Sequence, residues 1–371
     1  MQLFLFLLTV CLLVVISPTY ASEGNWSSDF PEAGSLIEGH SREAAMVVCS
    51  GVLLSCDLVL TAAHCLKYRD APGNRFWFYL QHAGMLEVNN DEVELFCDSQ
   101  TCQDLQGFVY DLGILRLESY AWESSITEPS ESSVVVSSAA ADFVGFGIKP
   151  PSLGNYNLKR RTPVRLSECD ASFGHYNSLC SDLSDDLPTP CRKDSGGPLY
   201  TLSDEGAHSL LGIASKTGIG CRFGQAIYND MTNPRIQSWI AERIGKSKKR
   251  CRASTMKPME ITSEPNGWLN ETSYFQELEI EVDHGIDELL VTMNHEPGES
   301  TSEMYNDFDM ELIGPSSSDG KTAKLASNCD NTWKLLSICR VPSPAPGTWK
   351  ARVIRKHGEG HFQLVATGIT K

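Results

Sequence analysis

From Met46 onward the chain is a succession of short β-type runs cut by Gly, Pro and polar residues. They include Met46-Val47-Val48, Val52-Leu53-Leu54, Leu58-Val59-Leu60, Phe76-Trp77-Phe78-Tyr79, Val93-Glu94-Leu95-Phe96 and Leu112-Gly113-Ile114-Leu115. Many short strands with regular turns predict a barrel or a sandwich rather than a helical or doubly wound fold. One helical pattern interrupts them: over Asn233 to Ile244, Ile236, Trp239, Ile240 and Ile244 share a face. From Met256 the β runs resume with a more acidic face, as in Leu278-Glu279-Ile280-Glu281-Val282. Strict alternation of this kind marks strands with one buried and one wet face. With 371 residues the chain is long enough for two cores. No internal repeat is evident.

The ends and joints divide it further. Leu3 to Ile16 is apolar apart from Thr9 and Cys11, and Pro18, Thr19 and Ala21 follow. This reads as a secretory signal peptide over 1–21, the competing reading being a membrane anchor, for which the run is short. No later segment is apolar enough to span a bilayer, so no anchor is expected once the signal is removed. Residues 22–36 are polar with Gly and Pro and read as a short pro-segment or a flexible terminus. The first domain then spans 37–245, a basic linker 246–255, and a second domain 256–371. Lys246 to Arg252 reads as a solvated connector, with a dibasic processing site as the alternative. Thirteen cysteines less Cys11 in the signal leave 13 − 1 = 12. An even number in a secreted chain points to disulfides rather than metal ligands. Asn25-Trp26-Ser27 and Asn270-Glu271-Thr272 are glycosylation sequons. A net charge of −16 argues against a nucleic-acid partner.

Three short stretches carry chemistry. Leu60-Thr61-Ala62-Ala63-His64-Cys65 puts a histidine at a strand end. Tyr110-Asp111-Leu112-Gly113-Ile114-Leu115-Arg116-Leu117 puts an acid at the start of an apolar strand. Cys191-Arg192-Lys193-Asp194-Ser195-Gly196-Gly197-Pro198-Leu199 puts a serine between an acid and two glycines. Taken singly, His64 reads as a packed or surface residue, Asp111 as a strand cap and Ser195 as a turn. Together they supply what a serine nucleophile needs: a base to take its proton and a carboxylate to orient the base. The glycines allow a sharp turn that projects the serine oxygen and aims backbone N–H groups at a developing oxyanion.

In order and sequence these blocks resemble the signature blocks of trypsin/chymotrypsin-like serine proteases, over about Ile37 to Gly245. The resemblance implies an all-β double six-stranded barrel with a C-terminal helix. It implies His64, Asp111 and Ser195 as catalytic residues, and the N–H groups of Lys193 and Ser195 as the oxyanion hole. It implies Thr189, Ser215, Thr217 and Ala226 around the substrate pocket, and disulfides Cys49–Cys65, Cys169–Cys180 and Cys191–Cys221. Proximity in sequence adds Cys97–Cys102 and Cys329–Cys339, which leaves Cys56 and Cys251. The family's zymogens are cut so that a new amine pairs with the acid before the serine. Asp194 is that acid, and Ile37 heads the nearest matching start, against the alternative that Ile37 is an ordinary loop residue. Neither cofactor nor metal is expected.

Departures from the family's pattern shape the rest. Lys193 stands where the family has Gly, which points to altered efficiency or inhibitor sensitivity. Thr189 replaces a pocket-floor Asp, and Thr217 and Ala226 replace wall glycines. A pocket without a carboxylate and with filled walls suits small or medium apolar residues before the scissile bond. Lys216 replaces an aromatic beside Ser215. Asn306 to Pro315, Ala345 to Val353 and Gly360 to Leu364 resemble the β-sandwich (jelly-roll) modules of the pre-peptidase C-terminal or P-domain type. Such a module would bind substrate or a surface. Asp307 and Asp309 read as solvated strand-end acids, with Ca²⁺ ligation as the alternative. The whole reads as a secreted serine endopeptidase with protein or peptide substrates and protease inhibitors as partners. The alternative is a weakly active homologue that works as a binding or regulatory protein.

Overall fold

The structure is a computed structural model that describes residues 25–66, 71–96, 110–118, 121, 140–149, 154–170, 178–182, 190–202, 208–218, 220–221, 223–246, 255–261, 266–298, 306–315, 325–326 and 329–370. After a short β1 (Asn25–Trp26) come β2 (Ala33–Gly39), β3 (Met46–Ser55), β4 (Leu58–Thr61), β5 (Arg75–Leu80), β6 (Gly84–Phe96) and β7 (Leu112–Leu117). These six close into an antiparallel barrel in the order β2-β3-β4-β7-β6-β5. Leu36, Leu53, Val59, Phe76, Phe78, Leu115 and Leu117 fill it.

A second barrel follows from β8 (Ala140–Gly145), β9 (Arg160–Ser167), β10 (Ser178–Asp182), β11 (Pro198–Leu202), β12 (His208–Lys216) and β13 (Gln225–Asp230). Pairing of β8 with both β11 and β9 closes it, and β1 adds to the outside of β9. Helix α1 (Pro234–Gly245) starts at Asn233, whose Oδ1 accepts the Arg235 N–H at 2.9 Å. Ile236, Trp239 and Ile240 bury against the join between the barrels. Ile244, expected on that face, is exposed.

The remaining strands are β14 (Thr255–Pro258), β15 (Glu260–Ile261), β16 (Asn266–Leu269), β17 (Phe275–Val282), β18 (Glu288–His295), β19 (Asp307–Ile313), β20 (Leu325–Ala326), β21 (Cys329–Asp330), β22 (Leu336–Pro342), β23 (Gly347–His357) and β24 (Gly360–Thr370). They form two antiparallel sheets, β14-β24-β18-β22-β21 with β16 on β24, and β15-β17-β23-β19-β20. Leu278, Ile280 and Val282 enter the shared core, as the alternation predicts. Glu277 and Glu279 face outward opposite Arg352 and Lys350 on β23.

The sandwich packs on both barrels. That explains a run that alternation does not: Phe76 to Leu80 is buried on both faces. Phe76, Phe78 and Leu80 point into the barrel, whereas Trp77 and Tyr79 point into a seam with Trp333, Leu335 and Leu336 of the sandwich. Trp77 and Trp333 meet edge to face with centroids 5.3 Å apart. Polar side chains cross the same seam in paired form. Gln81 Nε2 donates to Gln363 Oε1 at 2.6 Å, and Thr292 Oγ1 donates to the Gln81 carbonyl at 2.7 Å. Asn157 Nδ2 donates to the His295 and Leu335 carbonyls at 3.1 and 3.0 Å, and Asn294 donates back to the Asn157 carbonyl.

The start of the chain is built into the fold. Of the expected pro-segment or flexible terminus, Asn25 and Trp26 pair with Arg161 and Arg160, and Ala33 to Leu36 open β2. Ile37 is inside β2, 3 % exposed, with Val47 and Trp77 as its strand partners. Its amide belongs to the barrel, because the first barrel starts earlier than the resemblance implied. A cut before Ile37 would split that strand.

Candidate active site

Each element end brings one group to the cleft between the barrels. The 3₁₀ turn Ala63–Leu66 after β4 carries His64. The residue before β7 is Asp111, with a side chain 5 % exposed against 38 % for His64. Asp111 Oδ1 accepts the His64 backbone N–H at 2.9 Å, and Oδ2 lies 2.7 Å from His64 Nδ1. Two contacts from one carboxylate fix both the backbone and the ring, leaving Nε2 to face the cleft. Ser215 Oγ donates to the same Oδ2 at 2.6 Å. Burial by itself would raise the Asp111 carboxyl, but the His64 ring, the Ser215 hydroxyl and the His64 amide together hold it below its ordinary value.

Sequence reading missed a further support. Asn229 on β13 accepts the Asp111 N–H at 2.9 Å and donates to the Asp111 carbonyl at 3.0 Å. Nothing in the run Gln225 to Asp230 distinguishes this residue from an ordinary strand polar group.

Ser195 follows the turn 192–194, and both barrels grip it. The Ser50 N–H donates to the Ser195 carbonyl at 2.8 Å, and the Gly196 N–H donates to the Ala214 carbonyl at 2.7 Å. A Cβ on Gly196, which has φ 82°, would collide with Thr61 Oγ1 and the Ser50 carbonyl. Glycine is therefore demanded here by close approach as well as by φ. Ser50 Oγ also donates to the Lys193 carbonyl at 3.1 Å and accepts the Phe146 N–H at 3.1 Å. Among the described residues, neither the Lys193 nor the Ser195 amide has a protein acceptor. Ser195 Oγ makes a long 3.5 Å contact with the Ser215 carbonyl.

Lys193 adopts φ 72°, the left-handed region that suits glycine. Its side chain folds back: Nζ donates to the Val47 carbonyl at 2.5 Å and sits 4.4 Å from the Tyr156 ring centroid. Burial pushes this amine down to about 8. Of the residues expected around a substrate pocket, Thr217 Oγ1 donates to the Pro190 carbonyl at 3.0 Å, and Ala226 is buried. Thr189 lies outside the described residues.

Four disulfides join Cys49–Cys65, Cys169–Cys180, Cys191–Cys221 and Cys329–Cys339. Cys56 is also disulfide-bonded. Cys97, Cys102 and Cys251 lie outside the described residues. His64 lies beside the Cys49 and Cys65 sulfurs. Oxidised to a disulfide, these are not thiolate ligands.

In the uncut chain the expected activation pair, which needs a new amine at Ile37, is not present. Asp194 is buried, but Ile37 is held in β2; Asp194 Oδ1 instead accepts the Gly147 N–H and Oδ2 the Cys191 N–H, each at 2.8 Å. Burial raises this carboxyl to about 6, against the lowering effect of the Cys191 and Gly147 amides and of Arg160.

The Trypsin family model matches residues 29–240, more than half of the chain. The chain belongs to the trypsin family. Among curated relatives, serine protease Hayan of Drosophila melanogaster is 28 % identical over 214 residues, covering 49 % of this chain and 32 % of that protein. Coagulation factor XII of Rattus norvegicus is 28 % identical over 224 residues, covering 52 % of this chain and 36 % of its own length. Hypodermin-B of Hypoderma lineatum is 25 % identical over 216 residues, covering 52 % of this chain and 77 % of its own. The chain thus spans about a third of the first two relatives. As a trypsin-family member it has the two barrels of the fold and, beyond residue 240, a sandwich outside the matched segment.

Proposed function

We propose that this chain is a secreted serine endopeptidase that hydrolyses peptide bonds through an acyl-enzyme on Ser195. The observation that carries the reading is the double grip of a buried Asp111 carboxylate on His64, beside a serine whose loop leaves two amides without protein acceptors. The roles are those of the family's triad. Ser195 Oγ rotates from the Ser215 carbonyl to His64 Nε2 and attacks the scissile carbonyl as the ring takes its proton. Asp111 keeps the ring in the tautomer with Nδ1 protonated and stabilises the imidazolium. The Lys193 and Ser195 N–H groups receive the oxyanion. His64 returns the proton to the leaving amine, and water then releases the acyl group.

Thr217, Ser215 and Ala226 would favour a small or medium apolar residue before the scissile bond, a reading supported by Thr217, bonded to the Pro190 carbonyl, and Ala226 standing in place of glycines. Substrates are proteins or peptides, and protein inhibitors that present an extended loop would use the same cleft. Secretion is supported by the apolar leader and the disulfides. Asn270 sits in a turn in which its Oδ1 accepts the Thr272 N–H at 2.9 Å, on the sandwich, where a glycan would be accommodated.

The second reading, a weakly active homologue that binds rather than cuts, is favoured by one observation: Lys193, with φ 72° at the loop before Ser195, is tied by its side chain to the Val47 carbonyl. Hydrolysis of peptide p-nitroanilides with Ala, Val, Leu, Phe, Lys or Arg before the bond separates them. The endopeptidase reading expects cleavage after the smaller apolar residues, lost in Ser195→Ala. No hydrolysis of any of them by folded protein supports the binding reading.

A further inference from the structure

The loop that supplies the two open amides depends on where Asp194 points. Its carboxylate fits against Gly145 and Gly147 so closely that a Cβ on either would strike it. Gly147 is a two-sided joint. Its N–H donates to Asp194 Oδ1 at 2.8 Å, and its carbonyl accepts Arg160 Nη1 at 3.0 Å. Arg160 Nη2 donates in turn to Glu296 Oε1 at 3.3 Å, with both side chains nearly buried.

Glu296 belongs to the sandwich, just after β18, and is fixed there. Its Oε2 accepts the His361 N–H at 3.1 Å, its own N–H donates to the His361 carbonyl at 3.0 Å, and its carbonyl accepts Asn306 Nδ2 at 3.0 Å. A continuous hydrogen-bonded path therefore runs Glu296, Arg160, Gly147, Asp194 and ends one residue before the nucleophile. A buried carboxylate needs donors or a cation to remain ionised. Two amides and the Arg160 charge supply that here, while Ile37 is committed to β2.

We propose that Arg160, held by Glu296 of the sandwich, is the positioning residue for the oxyanion loop, so that the loop is held in place without a cut before Ile37. The inference rests on the serine endopeptidase reading of the same site. It also makes the sandwich part of the catalytic unit: Glu296 aligns Arg160, Arg160 braces Gly147, and Gly147 fixes Asp194.

The test uses the full chain after leader removal, shown by intact mass and N-terminal sequencing to be uncut. Acylation by a peptide ester is followed in wild type and in Arg160→Met, Arg160→Lys and Glu296→Gln, with rates divided by active-site titre. That division removes losses due to misfolding alone, and Glu296→Gln, being isosteric, covers the case in which Arg160→Met fails to fold. Uncut wild type is expected to turn over. Arg160→Met should lower kcat per titrated site by about 10²-fold, the scale of losing one oxyanion donor, with KM little changed. Arg160→Lys should recover part of the loss, and Glu296→Gln should lie between. Wild type that is inert until cut overturns the inference while leaving the endopeptidase reading intact, as does an unchanged kcat per site in all three variants. Wild type inert both before and after cutting overturns both.

Discussion

Two interfaces meet in this chain, and they treat polar groups in opposite ways. In the seam between barrels and sandwich, buried polar side chains bond across the joint: Gln81 with Gln363, Asn157 with His295 and Leu335, Arg160 with Glu296, while Gln81 Oε1 and Asn157 Oδ1 are buried without a partner among the described residues. In the cleft between the barrels, two amides lack protein acceptors among the described residues, Lys193 is in a strained backbone region, and His64 is partly open. Hydrogen bonds of this kind across a buried joint hold its two sides together, since a donor deprived of its partner there costs about 1–3 kcal/mol. An unmatched, pre-aimed set of donors is what a site requires if it is to bind charge that develops only during reaction. The difference teaches that the sandwich is built as structure and the cleft as chemistry, although one path of hydrogen bonds joins them.

Substitutions should separate the two. In the cleft, His64→Ala should reduce kcat by about 10⁶-fold with an unchanged denaturation midpoint, since removing the base disables the nucleophile. In the seam the balance should reverse. Asn294→Ala would leave the Asn157 carbonyl without that donor, and Gln81 without that acceptor, in a buried site. A loss of about 3 kcal/mol in chemical denaturation is expected, with kcat per titrated site nearly intact.

Lys159 sharpens the comparison by pH. It is fully buried and donates to the Phe30 carbonyl at 2.6 Å; burial pushes it down to about 7, against the attraction of Glu32 and Asp29. Its folded value lies below the ordinary 10.5. Between about 7 and 10.5 the unfolded chain therefore binds more protons than the native one, and stability rises with pH across that window. Lys159→Met should flatten this rise, read as denaturation midpoints at pH 6, 8 and 10. The smallest effect belongs to Lys193→Gly. It should relieve about 1 kcal/mol of backbone strain and raise turnover of substrates with bulky leaving groups, by no more than about fivefold. A fall in turnover would show that the Lys193 side chain assists the reaction.

Much of this was legible in the sequence, for identifiable reasons. Strand patterning in β3, β5, β7 and β17 follows local apolar periodicity, and the triad residues sit in short blocks whose chemistry is self-consistent. What escaped notice depends on distant packing. Asn229 and Ser50 are ordinary strand polars until folding brings them to Asp111 and Lys193. Arg160 and Glu296 lie 136 residues apart, and nothing local marks them as partners. The doubly buried run of β5 was visible, but only the sandwich explains its outer face. Ile37 resembles an activation terminus over four residues, whereas in the uncut chain it follows the strand pattern into which Ala33 to Gly39 fits.

The most direct test of the account is intact-protein mass spectrometry after treatment with a fluorophosphonate, followed by peptide mapping, on the chain from its mature start to Lys371. The account predicts one adduct, on Ser195, in a chain that has not been cut, and none in Ser195→Ala. A folded, uncut chain that takes up no label, or takes it up at a residue other than Ser195, would contradict it.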